Sequence, residues 1–398
     1  MWLGRMNREF RKSLLCSLCL LAFASESSHA RFLSEKQARK RPRGRIASVA
    51  SATVGTRYPD PFALGSHAYN SGLFYSLFGP PERNGIAYTC RGGFIDITHT
   101  RKLTDWTAYL AYRLRAAIRA KQRDFSFKMR EPSRSYVRIE YPRNWDQLPA
   151  STRDATATEI SIQLASYLAY TACIWHEMLT WFGYKAAGFY PEFNSAFSWE
   201  DCYSNALGCR IAETALRDPN QEFDRAVTLL LNRELERLAV QPRPAAWVAG
   251  RAVRGQWFTG NYLWFKIVKR NFDIGMDNGS ITPWLVPGLY ACDGPRPEDY
   301  PVPTLAFLRQ QGFTVTYEIE PREWERKKML AIIYGHGGEG RIEPARHFGP
   351  LLAYIKVQAA TRYGPDVGNP GVGTANPSAP NPRDLSALAT RWLRDETS

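Results

Sequence analysis

The stretch EISIQLASYLAYTACIWHEMLTWFGY, Glu159–Tyr184, decides how the rest of the chain is read. Its sixteen residues from Ile160 to Trp175 carry no charge. A helix that is apolar on all sides is a buried helix. A bilayer span needs about 20 apolar residues, and this run is shorter and contains Gln163 and several Ser and Thr. It therefore reads as a central core helix. It runs directly into His176-Glu177. Ionisable groups at the end of a buried helix must be paired, hydrogen-bonded or metal-bound, because an unpaired buried charge is costly.

Working outward, three more helices follow from periodicity and end signals. Leu103–Arg123 carries Leu103, Trp106, Leu110 and Leu114 on one face. Ser198 is placed to cap a helix ending near Arg217, with Asp201 as its capping-box acid. Gln221–Ala239 is amphipathic. The alternating runs SYVRIEY (Ser135–Tyr141) and TVTYEIE (Thr314–Glu320) predict strands of a small sheet. After Pro242 the chain is rich in Trp, Gly and Pro and is expected to wrap the helices. The fold class is mainly α (α+β): one helical domain over residues 57–363, a small β-sheet, and an irregular C-terminal half. Flanking it are a basic flexible arm (31–56), a Gly/Pro-rich disordered linker (364–383) and a short helix (384–398) with Leu385, Leu388 and Trp392 on one stripe.

Composition bounds the function. The 398 residues are 44% hydrophobic and 13% aromatic, enough for a substantial core and incompatible with general disorder. The net charge of +14 is concentrated at one end: residues 1–45 hold eleven basic and three acidic side chains, leaving a surplus of only +6 over the other 353 positions. This distribution describes a basic leader and arm, and disfavours a nucleic-acid-binding fold. Arg5–Lys12 form a positive n-region, Ser13–Ala24 an apolar run, and Ser28-His29-Ala30 a small-residue cleavage point. That order is a secretory signal peptide (1–30), so the chain is expected in the periplasm or secreted after cleavage near Ala30. Cys90, Cys173, Cys202, Cys209 and Cys292 then remain. Cys202 and Cys209 are too far apart on one helix to bridge, at roughly 10 Å. Cys173 reads as packing, and Cys90–Cys292 is the best candidate for any disulfide. Among these five no CxxC spacing suggests a thiolate zinc site.

The chemistry gathers in three segments. His176-Glu177-Met178-Leu179-Thr180 begins like a zinc-hydrolase HExxH helix, but Thr180 stands where the second His belongs. GGFIDITHTRKLTDW (Gly92–Trp106) supplies Asp96, His99, Arg101 and Asp105; if it starts a helix, Asp96 and His99 share a face and Arg101 and Asp105 can pair. FSWEDCYSNALG (Phe197–Gly208) supplies Glu200 and Asp201 in a first helical turn. His99, His176, Glu177 and Glu200 or Asp201 could thus converge from three helices. Each has a plainer reading: a hydrogen-bonded helix bridge for His176-Glu177, a cap for Asp96/His99, and dipole-favoured acids for Glu200 and Asp201. The glycine-rich Tyr334–Gly340 and the calcium-like Asp273–Gly279 lack the partners that a catalytic or EF-hand loop requires.

Those three segments, GGFIDITHTRKLTDWTAY, IWHEMLTWFGY and FSWEDCYSNALG, together with the looser NFDIGMDNGSITPWLVPG (Asn271–Gly288), resemble a family of bacterial envelope proteins catalogued as domain of unknown function 4056. The resemblance covers most of residues 60–320. It implies an exported protein, often membrane-tethered, and supplies no reaction. It also implies that Thr180 is normal after His-Glu.

Two functions follow. In the first, the chain is an envelope metal-dependent hydrolase binding a divalent metal such as zinc: His99, His176 and Glu200 or Asp201 are ligands, Glu177 is ligand or general base, and Asp96, Arg101, Asp105 and Thr180 support them. In the second, the same residues form a non-catalytic, buried hydrogen-bond network. The partner is an unnamed substrate or envelope component, with membrane-surface contact expected through the 31–45 arm.

Overall fold

The computed structural model describes residues 32–43, 58–71, 82–186, 190–191, 193–259, 266–289, 292, 294 and 296–371. The expected signal peptide and the 384–398 helix lie outside them. Among the described residues, seven longer helices organise the fold: α1 (Ile97–Arg119), α2 (Ala150–Trp181), α3 (Asp201–Arg217), α4 (Phe223–Arg237), α5 (Arg243–Val253), α6 (Arg326–Tyr334) and α7 (Pro344–Tyr363), with shorter helical turns beside them. β1 (Ile86–Thr89) and β2 (Gly93–Asp96) form an antiparallel hairpin that leads straight into α1. β3 (Asp124–Phe127), β4 (Arg134–Glu140) and β5 (Thr314–Glu320) form an antiparallel sheet in the order β5-β4-β3. The chain is α+β and mainly helical, as its periodicity requires.

The uncharged run of α2 is the centre of the core. Ile160, Leu164, Leu168 and Ile174 are fully buried, and α2 packs against both α1 and α3. The predicted face of α1, Leu103, Trp106, Leu110 and Leu114, is likewise fully buried. The two alternating runs pair with each other, Val315 opposite Ile139 and Tyr317 opposite Val137, and turn those side chains towards the helices. β3 is an addition that the sequence reading did not contain.

At Gly208, α1 and α3 approach each other closely. Thr104 Oγ1 donates to Gly208 O at 3.0 Å and Thr100 Oγ1 to Ser204 O at 3.3 Å, while Ser204 Oγ accepts from Asp96 N at 2.9 Å. A Cβ on Gly208 would lie inside the contact distance of the Thr100 carbonyl. Only glycine lets the helices meet this closely, and their meeting sets the N-terminal ends of α1 and α3 side by side.

Several expectations need correction. Ser198 does not cap α3: the helix starts at Asp201 behind Glu200, without a side-chain cap bond. The Ser198 hydroxyl instead serves the Glu200 and Asp201 carboxyl groups. Within the segment read as a flexible arm, Phe32–Arg43 is laid on the body: Leu33 and Ala38 are buried, Arg115 stacks on Phe32, and Tyr69 donates to the Lys40 carbonyl. The cations Lys36, Arg39, Lys40, Arg41 and Arg43 stay exposed. The start of the expected disordered linker is also packed, with Val367 buried and its carbonyl accepting from Arg270 N. The irregular Trp-rich wrap holds for the described residues between Arg254 and Leu305, but α6 and α7 beyond them are regular helices. Trp199, Trp257 and Trp284 pack together with Phe94 in an aromatic cluster beneath the start of α3.

Cys90, in the β1–β2 turn, is joined to Cys292 across 202 positions, and Cys173, Cys202 and Cys209 are free and buried. Reduction of this bridge is expected to cost about 2–5 kcal/mol, as for long-loop disulfides generally, read as a lower urea midpoint in dithiothreitol. Gly208→Ala should destabilise by about 1–3 kcal/mol through overpacking, opposite in sign to the roughly 0.5–1 kcal/mol that alanine gains over glycine in an unconstrained helix. Urea titration of the variant checks it.

Candidate metal centre

The hairpin and the α1–α3 contact build the site. Asp96 ends β2 and caps α1, accepting from Thr98 N at 2.6 Å and His99 N at 3.2 Å through one oxygen. Its other oxygen lies 3.4 Å from His99 Nδ1, and Asp201 Oδ1 lies 2.7 Å from the same nitrogen. One donor atom from each of Asp96, His99 and Asp201 therefore falls within 4.8 Å of the others. The two carboxylates are buried, while the His99 side chain keeps 19% of its surface exposed. Three oxygen and nitrogen ligands with one side open to solvent are a donor set suited to a divalent cation that retains further positions for water or substrate.

Other sequence-derived candidates surround this group. Glu177, on α2, accepts from Phe197 N at 2.8 Å and is close enough to interact with His99 and Asp201. Glu200 is buried beside Asp201, and its Oε2 has no hydrogen-bond partner among the described residues. His176 is not in the three-residue group; its Nδ1 lies 2.9 Å from Glu131 Oε1. Thr180 is buried one turn further along α2. Arg101 and Asp105 belong to a second buried cluster. Arg101 donates to the Leu64 and Gly65 carbonyls and to Asn84. Asp105 lies 3.1 Å from His67 Nε2 and accepts from Asn70 N. That cluster ties residues 58–71 and 82–84 to α1.

Two members escaped the sequence reading. Glu131 lies in the β3–β4 connection, where no periodicity marks it. Lys102 stands one turn after His99 and is only 8% exposed; its charge acts on His99, Glu131, His176 and Asp201. A lysine on a helix whose neighbouring turns are apolar was the available signal.

The electrostatics follow from crowding. Burial opposes charge on His99, but Asp96 and Asp201 outweigh it and raise the imidazole to about 9. Burial would raise Asp201, yet the His99 charge and hydrogen bond hold it below its ordinary value. Burial and the repulsion of Asp201 keep Asp96 high. The same two causes push Glu177 up to about 7 and Glu200 well above the carboxylate range. Burial would also raise Glu131, but His176 brings it down to about 2. His176 rises in turn, the Glu131 hydrogen bond and charge exceeding the effect of burial.

The fold and site together define a mainly helical α+β protein with a charge-rich centre at the joined ends of two helices. The chain belongs to the family described as "Protein of unknown function (DUF4056)", which matches residues 60–283 and so contains every residue of the centre. No curated protein and no solved structure matches it.

The Glu131–His176 pair sets a pH dependence. Glu131, lowered on folding, contributes stability that is present above about pH 4.5 and lost as pH falls towards about 2. His176, raised on folding, contributes stability that is present below its unfolded value near 6.5 and lost as pH climbs through its folded value. Glu131→Gln should therefore destabilise most between these limits, near pH 5–6, by about 3 kcal/mol. Urea denaturation of both proteins at pH 3 and 5.5 should show the gap shrinking at the lower pH.

Proposed function

We propose that the protein is an exported metal-dependent hydrolase in which Asp96, His99 and Asp201 hold one divalent cation. The observation that carries this reading is the convergence of their three donor atoms within 4.8 Å, with a partly exposed imidazole between two buried carboxylates. Such a cation would supply Lewis acidity and a polarised water. Glu177, held by the Phe197 N–H, is the general base in this reading, and Lys102 offsets negative charge as the centre changes state. The His176–Glu131 pair supports the centre from the α2 side. The Cys90–Cys292 bridge supports an oxidising compartment, in keeping with the signal peptide read from Arg5–Ala30. Among the described residues no helix is long and apolar enough to cross a membrane.

Elemental mass spectrometry on tag-free protein prepared without chelator tests this. About one divalent metal per chain is expected. It should be lost in Asp201→Asn and in His99→Gln, and kept in Glu131→Gln. A wild-type protein that holds no metal even after reconstitution with zinc or manganese would leave the non-catalytic reading: the same groups as a hydrogen-bond network joining three helices.

A further inference from the structure

Trp324 is 96% exposed, whereas Trp106, Trp145, Trp175, Trp181, Trp199, Trp257 and Trp284 are buried. It is not on a loose loop. The neighbouring Glu323 is 1% exposed, and its carboxylate accepts from Ser133 N and Oγ at 2.8 Å and from Arg322 N at 2.9 Å. The Ser133 hydroxyl also accepts from Trp175 Nε1 at 3.0 Å. A buried carboxylate thus staples the β5–α6 connection to the core helix and leaves the next residue, an indole, standing in solvent. Displaying a large apolar ring is costly, and the chain fixes it there.

The surroundings are cationic. Arg322, Arg326, Lys327 and Lys328 are all exposed within four positions of Trp324. Arg322 is paired with Glu320, and Glu325 is the acid on the same connection. Lys328 continues into a groove of about 870 Å³ between α6, α7 and the end of α2. Its wall includes Phe182, Ile332, Tyr354, Val357 and Arg362; Val357 is 68% and Tyr354 41% exposed. Glu325 lies against Gly183, which joins the connection to the groove rim.

We propose that this face, Trp324 with Arg326, Lys327 and Lys328 and the adjoining groove, docks on an anionic phospholipid bilayer. Indole rings settle at the headgroup level of a membrane, with an apolar body and a polar N–H. Lysines and arginines beside them are drawn to the negative surface. Charge complementarity selects the occupant: three exposed cations within four positions of one displayed indole suit a negatively charged surface. Trp324, Arg326, Lys327 and Lys328 lie outside the family match at residues 60–283, which includes Phe182 in the groove wall, and are distinct from the exposed cations of Lys36–Arg43.

The test is co-sedimentation of the full chain with vesicles containing about one third phosphatidylglycerol, against pure phosphatidylcholine vesicles. Wild type should partition to the anionic vesicles and be released in about 1 M salt, where the screening length falls to about 3 Å. Trp324→Ala should weaken partitioning about tenfold. Lys327→Gln with Lys328→Gln should weaken it about 30-fold, since each cation near the surface is worth roughly a factor of five. All three positions are exposed, so thermal unfolding should match wild type. Arg39→Gln with Lys40→Gln should bind as wild type. No partitioning of wild type, equal binding to neutral vesicles, or loss confined to the Arg39/Lys40 variant would each overturn the proposal.

Discussion

The approach of α1 to α3 at Gly208 is the constraint on which the rest of the structure depends. With no side chain at that position, Thr100 and Thr104 bond across to the neighbouring helix backbone, and Ser204 holds the amide of Asp96. The N-termini of two helices are brought to one place, and with them Asp96 and Asp201. Two carboxylates in a buried setting repel each other; His99, between them, is what makes the arrangement tolerable. Apolar burial along α1 and α2, Leu103 to Leu114 and Ile160 to Ile174, supplies the free energy against which this crowding is set.

Much of this was legible in the residues. An uncharged run of sixteen positions admits few readings, and strict alternation in SYVRIEY and TVTYEIE identified two strands that pair with each other. Two of the segments that supply the centre were visible because His is scarce and lies near acids, Asp96 before His99 and Glu177 after His176; the third, Phe197–Gly208, has no His and was marked by its adjacent Glu200 and Asp201. Distribution among the donors was less legible. His99 and His176 look equivalent in sequence, but His99 sits at a helix start that meets another helix start. His176 sits near the C-terminal end of α2, beside the β3–β4 connection, and takes Glu131.

The misses have physical causes. Ser198 carries the chemistry of an N-cap, but Phe197 adopts a left-handed backbone (φ 55°) with its N–H given to Glu177, so the turn tightens and the helix begins two residues beyond the usual place. Glu131 precedes Pro132 in a connection without a repeating pattern, so only the fold could bring it to α2. α7 has a proline in its first turn and Gly364 just past its end, both proper helix signals. Pro350 within it, and the glycines before it, made the region read as irregular. The displayed Trp324 had no sequence signal, because exposure is decided by the staple at Glu323 and not by the residue itself.

Charge accounting relates the two ways of completing the centre. Among the described residues, Asp96, Glu131, Glu177, Glu200 and Asp201 face four cationic groups, His99, Lys102, His176 and Arg270, in a region that is largely closed to water. With every group ionised the carboxylates outnumber the cations by one, and a buried region does not hold an unpaired charge. Without a metal the surplus is met by a proton, and burial and Asp201 raise Glu177 and Glu200 in the direction that favours their neutral forms. A single divalent cation on Asp96, His99 and Asp201 would displace the proton of the His99 imidazole, since a ligating imidazole is neutral, together with the proton shared among the carboxyl groups. Protons and a divalent cation are thus alternative answers to the same crowding of carboxylates around His99.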